Sequence, residues 1–135
     1  MKRTTKEWIE KAEDDYRTAE LIALSKEPLH DQRCFHCQQA TEKYLKALLE
    51  ELGSSVEKTH ELEDLLDQLL PHHPTLGSLR RGLGFLSDFA VGVRYPGDSA
   101  SKRQAASALR WAGIVRNACR NLLGLRPPPR RRKRP

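Results

Sequence analysis

The chain has 135 residues, a length that fits one domain with a hydrophobic core of its own. Aromatic residues make up only 6% of it, and no apolar run approaches the roughly 18 residues of a membrane span. Three cysteines, an odd number, argue against a disulfide framework and favour reduced thiols. Leu and Ala supply most of the apolar content and suit helix packing. We therefore expect a soluble, cytoplasmic, all-α protein.

The net charge of +6 is concentrated at one end of the chain. Residues 126–135, RPPPRRRKRP, contain six basic residues and no acid, which leaves 18 of the 24 basic residues against all 18 acids in residues 1–125. The sequence thus divides into a helical domain over 1–125 and a disordered tail over 126–135, because a proline-rich basic segment cannot form a helix. Such a tail either binds RNA or DNA phosphates without sequence preference or serves only as a solubilising end.

The first predicted helix runs from Thr4 to about Ser25 and opens with a capping box made by Thr4 and Glu7. Its first half contains the acidic run 13–15. The run either complements the helix dipole or provides an acid that orients a Lys or His of the next helix.

The second predicted helix, Asp31 to Leu52, is the one around which the others are expected to pack. Apolar or small residues recur along it at three- and four-residue intervals, which indicates a buried stripe. Cys34 and Cys37 have the spacing of zinc ligands, but both lie on this stripe, so core packing is favoured and no metal or other cofactor is expected. The stripe consists of Cys34, Cys37, Thr41, Tyr44, Leu48 and Leu52.

The polar side of the same helix carries a row of hydrogen-bond donors. Donor-rich side chains at helical spacing are suited to binding an anion or the edge of a base. A solvated helix face, or charges that pair across the twofold axis of a dimer, would give the same pattern. The row consists of His36, Gln39, Lys43 and Lys46, with Glu42 beside them.

Three further helices are predicted in the second half of the chain. Thr59 is expected to cap a third helix over 60–70, and a fourth is expected over 75–91, where glycines lower helix stability but permit close helix contact. Tyr95-Pro96-Gly97-Asp98 has the chemistry of a type II turn. Ser101 and Gln104 form a second capping box, which opens a fifth helix that ends near Leu123.

These elements predict an up-and-down antiparallel helical bundle of about five helices. Gly53 is expected to end the second helix, as glycine commonly does at a C-cap. The residues expected to be largely buried in the single core are Trp8, Tyr44, Leu48, Leu65, Leu86 and Leu109.

Four segments, in order, resemble the small stand-alone prokaryotic type of the HEPN domain family, the nucleotide-binding domain of higher eukaryotes and prokaryotes. They span essentially residues 4–123 and are WIEKAEDDYRTAELI, CFHCQQATEKYLKALL, KTHELEDLL and RYPG, of which FHCQQATEKYLKA is the most distinctive. The resemblance implies a helical bundle that is commonly a homodimer. It also implies a minimal nucleotidyltransferase as partner, often encoded next to the HEPN protein as a toxin–antitoxin pair.

Some members of this family are ribonucleases, and their signature is an Arg followed after four to six residues by a His. Arg94 matches the position of the Arg, but the positions where the His would fall hold Ser99, Ala100 and Ser101. Ser and Ala cannot exchange a proton near neutral pH, so a cleavage reaction would need a histidine from elsewhere, such as His36 or His60.

Two functions remain from the sequence. In the leading hypothesis the protein is not an enzyme: it binds a nucleotide or phosphate, and a nucleotidyltransferase partner performs any chemistry. Arg suits a phosphate because of its bidentate fork, and Lys because of its point charge. The alternative is a metal-independent endoribonuclease toxin with an atypical site that cleaves RNA. The predicted binding residues are Arg94, Lys43, Gln39, His36, Glu42, Tyr95 and His60.

Overall fold

The computed structural model describes residues 1–56, 58–59, 61–90 and 95–126. Within these residues the chain forms five α-helices, one 3-10 helix and no strand, which confirms the all-α prediction. The helices are α1 (Arg3–Ser25), α2 (His30–Glu51), α3 (Leu62–Leu69), α4 (Arg80–Ser87) and α5 (Lys102–Leu122), with the 3-10 helix (Pro74–Leu79) directly before α4.

Helix α2 occupies the centre of the bundle, where it contacts α1, α3, α4 and α5. Helix α1 runs antiparallel to it, because Thr5 meets Glu51 at one end and Asp15 meets His36 near the other. Helix α5 runs in the same direction as α2, since the residue pair Ala100 and Asp31 joins the starts of the two helices. The central position predicted for the second helix is therefore confirmed.

The core lies between α2 and the helices around it. Tyr44 and Leu48 of α2 are buried together with Leu65 and Leu86, as predicted. Trp8 and Leu109 are only partly buried, because they pack against the edge of the core rather than inside it. The apolar stripe of α2 thus faces inward from Cys34 to Leu48, as its periodicity indicates. Leu52, predicted as its last member, follows the end of the helix and is 37% exposed.

The capping box predicted for α1 is wrong. The helix begins one residue earlier, with Lys2 as N-cap and no side-chain cap from its own sequence. The N–H of Lys2 and the hydroxyl of Thr5 donate to Glu51 Oε1 at 2.9 Å, and the hydroxyl of Thr4 donates to Glu50. The end of α2 therefore caps the start of α1, because the antiparallel packing brings two carboxylates to the N–H of Lys2 and to the hydroxyls of Thr4 and Thr5.

The third helix is shorter than predicted, and Thr59 does not cap it. Its N-cap is Glu61, while the Thr59 hydroxyl accepts a bond from the Glu61 N–H at 3.1 Å in the preceding turn. The first N–H of α3, that of Leu62, donates instead to Ser87 Oγ at 3.1 Å. A side chain at the end of α4 thus provides the hydrogen-bond acceptor for the first backbone N–H of α3.

The single helix predicted over 75–91 is also wrong, because the segment forms the 3-10 helix and then the short α4. Glycine lowers helix stability by about 1 kcal/mol relative to alanine, and three glycines lie in this segment. Gly82 is buried against Trp111 of α5, where a Cβ atom would overlap the indole ring. The close helix contact expected from the glycines is therefore present at Gly82.

The other turn and cap predictions are confirmed. Ser101 and Gln104 make both bonds of the capping box at the start of α5. Gly97 has φ of 94° and the N–H of Asp98 donates to Tyr95 O at 3.2 Å, as in a type II turn. Gly53 follows α2 with φ of 75°, a left-handed conformation that suits glycine.

Candidate functional site

The polar side of α2 meets α1 at a single carboxylate. Asp15 accepts a hydrogen bond from His36 Nδ1 at 2.9 Å through Oδ1, and its Oδ2 pairs with the ammonium of Lys43. The side chains of Asp15, His36 and Lys43 are 15%, 29% and 23% exposed, so the cluster lies at the surface but is mostly covered. Asp15 therefore fixes both donors in one place.

This cluster carries less positive charge than the row on α2 suggested. With His36 neutral, the charges of Asp15 and Lys43 cancel. His36 keeps its Nε2 and Lys43 keeps two of its three N–H donors after bonding to Asp15. The cluster thus presents both donors and acceptors, which suits the hydroxyl groups of a sugar or the edge of a base better than a bare anion.

The remaining polar residues of α2 turn away from this cluster and into the protein. Glu42 and Lys46 are 5% and 6% exposed and pair with each other at 3.1 Å, and Lys46 lies 5.7 Å from the ring centre of Trp8. Gln38 donates to Glu42 at 3.3 Å, and Gln39 donates to Gln38 at 2.7 Å. Glu42, which the sequence placed among the binding residues, is thus a buried partner of Lys46.

Glu13 connects α1 to α5 on the other flank of α1. Its carboxylate binds Arg116 Nε at 2.7 Å and Arg120 Nη1 at 2.6 Å. The hydroxyl of Tyr44 lies beside this group without a hydrogen bond of normal geometry, and burial raises the pKa of Tyr44 far above its usual value. Two charged pairs and a buried tyrosine therefore hold α1, α2 and α5 together at this level.

The three cysteines are all free thiols in the core. Burial raises the pKa of Cys34 to about 11 and that of Cys37 to about 12, so neither is a thiolate near neutral pH. In the part of the chain that the structure describes, no three His, Cys, Asp or Glu residues are placed to share a metal ion. The core position predicted for Cys34 and Cys37 is confirmed.

The structure shows no contact between the Asp15 cluster and the three other predicted binding residues, of which it describes only Tyr95. Tyr95 is 67% exposed at the start of the turn before α5. Arg94 and His60 lie outside the described residues, so their part in a site stays a prediction. None of the described helices is both long enough and apolar enough to cross a membrane.

Sequence reasoning did not place Asp15 in a site, although the acidic run 13–15 was a signal for it. An acid that orients a Lys or His of the second helix was one of two interpretations of that run, and Asp15 has that geometry. The run alone could not show which acid faces α2. Glu13 faces α5 instead, and Asp14 is exposed.

Comparison with known proteins agrees with this architecture. The sequence matches the model of the HEPN domain over residues 5–122. TT1696 from Thermus thermophilus has a similar structure, with a TM-score of 0.79 and 24% identity over 89% of this chain and 98% of that protein. ST0689, an archaeal HEPN homologue, superposes with a TM-score of 0.69 and 25% identity over 91% of this chain and 99% of that protein. No curated protein matches the chain. Since the family match spans most of the sequence, this chain belongs to the HEPN domain family.

Proposed function

We propose that this protein is a non-catalytic HEPN module that binds a nucleotide and works beside a separate nucleotidyltransferase. The observation that carries the proposal is the Asp15 carboxylate, which holds His36 and Lys43 side by side at the surface of the α1–α2 pair. A pre-positioned cluster loses less conformational entropy when a ligand binds than mobile side chains would.

The chemistry of the cluster assigns it to the base or sugar of the nucleotide. Asp15 can accept from sugar hydroxyls, while the two remaining N–H donors of Lys43 can bond to acceptors of a base. The phosphate is assigned to Arg94, whose guanidinium is the residue type that binds phosphate through two parallel bonds. Because Arg94 and the cluster have different tasks, the proposal predicts that nucleosides bind weakly and nucleotides bind better.

Calorimetric titration of Asp15→Asn with the four ribonucleoside monophosphates tests this assignment. The amide keeps the size of the side chain but removes the charge that holds Lys43, so we expect affinity to fall about tenfold, the effect of losing roughly one charge-assisted bond. Asp14→Asn is the matched control, because Asp14 is the exposed neighbour on the same helix and should bind like the parent.

Thermal unfolding of both variants must accompany the titration, since Asp15 also joins two helices. An Asp15→Asn protein that is folded and binds as well as Asp14→Asn would exclude the cluster from the nucleotide site. A parent protein that binds no mononucleotide at millimolar concentration would overturn the proposed function as a whole.

The pairing of Asp15 with His36 also favours one alternative, an endoribonuclease with a relocated histidine. A carboxylate bonded to Nδ1 orients the imidazole and leaves Nε2 available for proton transfer, as in other acid–base sites. If the protein cleaves RNA, His36→Gln should abolish cleavage. His72→Gln, in the exposed turn after α3, should not. Cleavage that survives His36→Gln would remove His36 from the mechanism.

The proposal extends to the partners that the family resemblance implies. We propose that the protein forms a homodimer and associates with a minimal nucleotidyltransferase encoded by a neighbouring gene. Sedimentation of the purified chain would reveal a dimer, and co-expression with such a neighbour followed by size exclusion would reveal the complex. A monomer that does not co-elute with the neighbour would contradict both partners.

A further inference from the structure

A cleft of about 360 Å³ lies at the end of the bundle where α1 ends and α2 and α5 begin. Ile22 and Ala23 of α1 form an apolar wall, and Glu27 is the one acid of the lining. The other lining residues are all basic or imidazole side chains, which the chain supplies from three separate segments: Lys26, His30, Arg33 and Lys102.

Two of these side chains have buried polar atoms without a partner. His30 Nδ1 and Arg33 Nε are covered and make no hydrogen bond with any described residue. A buried donor or acceptor without a partner costs about 1–3 kcal/mol, so such atoms are uncommon, and a bound water or ion is one way to satisfy them. Among the described residues, no ion pair joins a carboxylate to Lys26, Arg33 or Lys102.

The cleft is built where two helices start side by side. The N–H of Ala100 donates to Asp31 Oδ1 at 2.6 Å, which ties the start of α5 to that of α2. Helix α2 has Leu29 as N-cap, whose side chain cannot satisfy the first N–H groups of the helix. Free N–H groups and the helix dipole favour an anion at this end, in addition to the basic side chains of the lining.

We propose that this cleft binds a phosphomonoester group, that is, the terminal phosphate of a nucleotide or of an RNA 5′ end. Lys26, Arg33 and Lys102 against Glu27 give a formal excess of two positive charges with His30 neutral. A phosphomonoester carries about −1.5 to −2 charges at pH 7, so it matches that excess. Arg33 supplies a planar fork and the lysines point charges, while the wall of Ile22 and Ala23 can contact the carbon part of the ligand.

None of the described residues that line this site belongs to the Asp15 cluster. Its lining comes from the end of α1 and the starts of α2 and α5, whereas Asp15 contacts the polar side of α2. The nucleotide function proposed for the cluster and the phosphate site proposed for the cleft can therefore fail separately, and their variants distinguish them.

Titration with inorganic phosphate, followed by NMR and calorimetry, tests the cleft in the full chain. Lys102→Gln should weaken phosphate binding about tenfold, the effect of roughly one charge-assisted hydrogen bond. Arg103→Gln is a closely matched control. Arg103 is the next residue of α5 and is also exposed, but it does not line the cleft. The substitution therefore removes the same charge from the same helix turn. Its affinity should stay within about twofold of the parent, because long-range charge effects are screened by salt.

A second experiment uses Arg33→Gln with ligands that distinguish the phosphate of a free nucleotide from the phosphate of an RNA 5′ end. Read at the resonances of Ile22 and Ala23 in the cleft, AMP should bind and adenosine should not. A short RNA with a 5′ phosphate should bind there more tightly than the same RNA with a 5′ hydroxyl. Arg33→Gln should remove both differences while it leaves thermal unfolding near that of the parent, because Arg33 has no ion-pair partner among the described residues to lose. A difference for AMP alone would assign the cleft to free nucleotides, and a difference for RNA would assign it to RNA ends.

Equal phosphate affinity of the parent, Lys102→Gln and Arg103→Gln would overturn the proposal. Failure of inorganic phosphate and AMP to shift any resonance of His30 or Arg33 at millimolar concentration would overturn it as well. If Asp15→Asn lost AMP binding but still bound inorganic phosphate like the parent, the proposal for the cleft would stand. The Asp15 cluster would then bind only the base or sugar.

Discussion

Leu48 is a single side chain whose truncation measures the core directly. It is 1% exposed and belongs to the stripe of α2 that faces the other helices. Leu48→Ala should lower the free energy of unfolding by about 2–5 kcal/mol, because it removes buried apolar contacts and leaves a cavity. Urea denaturation monitored by circular dichroism gives the value.

Leu24→Ala is the matched control for that experiment. Leu24 is 51% exposed near the end of α1, so the same substitution removes little buried surface and should change stability by less than about 0.5 kcal/mol. Similar losses for the two variants would mean that the core does not lie on the stripe that contains Leu48.

At the scale of residues, burial was more predictable than bonding. Tyr44, Leu48, Cys34 and Cys37 are in the core because their spacing repeats with the helix turn, and that spacing is visible in the sequence. The partner of a charged residue depends instead on which element packs opposite it. The neighbours in the run 13–15 face different helices or solvent, and no local pattern distinguishes them.

At the scale of elements, the contact of α4 with α5 depends on the absence of a side chain at Gly82. Gly82→Ala should destabilise the protein by about 1–3 kcal/mol, the usual cost of overpacking, because the new methyl group would overlap Trp111. Gly77→Ala in the 3-10 helix is the control, since its Cβ would make an ordinary contact of 3.5 Å with Leu70.

The two glycines share a segment and a substitution but differ in their surroundings, so the comparison isolates the helix contact. Urea denaturation should place Gly77→Ala close to the parent and Gly82→Ala well below it. Equal stabilities of Gly77→Ala and Gly82→Ala would show that the Trp111 side chain can move aside without an energetic cost.

Helix starts show why some elements were predicted correctly and others were not. The capping box of α5 lies within four consecutive residues, Ser101 to Gln104, so the sequence contains all of it. The start of α1 is capped by Glu51 and that of α3 bonds to Ser87, both distant in the sequence. The cleft beside His30 likewise depends on residues that are distant in the sequence, because the packing of α5 on α2 brings Lys102 to it.

At the scale of the whole molecule, the buried thiols give the protein a defined response to alkaline pH. The pKa values of about 11 for Cys34 and about 12 for Cys37 exceed the usual value because burial disfavours the thiolate. The folded chain therefore holds these protons more tightly than the unfolded chain. The resulting stability is fully present below about pH 8.5, the thiol pKa of an unfolded chain, and is lost as pH rises through the folded values.

Urea denaturation between about pH 8.5 and about pH 10.5 should thus show a steady loss of stability, to which each buried thiol adds up to about 1.4 kcal/mol per pH unit. Cys37→Ala removes one of these groups, so its stability should fall less steeply over the same range, whatever its stability at pH 7. Parallel curves for the parent and Cys37→Ala would show that the thiol of Cys37 can ionise within the folded protein.

The basic tail should affect RNA and nucleotides differently. Deletion of residues 127–135 removes five basic residues but keeps Arg126, whose carbonyl oxygen accepts from Arg120 Nη2 at 2.7 Å. We expect weaker binding of long RNA and a shallower salt dependence, because each phosphate contact with a single strand adds about 0.7 to the slope of log K against log salt. Mononucleotide affinity should not change.

Arg94→Ala should give the opposite result, with mononucleotide binding at the Asp15 cluster lost and the salt dependence of RNA binding nearly kept. Titrations of both variants at two salt concentrations separate the effects. If the deletion and Arg94→Ala reduced mononucleotide affinity equally, Arg94 would not belong to a defined pocket.

The central position of α2 also determines when its backbone can meet solvent. Four helices contact α2, and all but one of its residues from Ala40 to Leu49 are buried, so fraying at the helix ends does not expose the amide hydrogens there. Those hydrogens can exchange with deuterium only when the bundle opens as a whole, and their exchange then reports the global free energy of unfolding. The peripheral α4 has only eight residues and can detach in smaller openings, so its amides should lose their protection first.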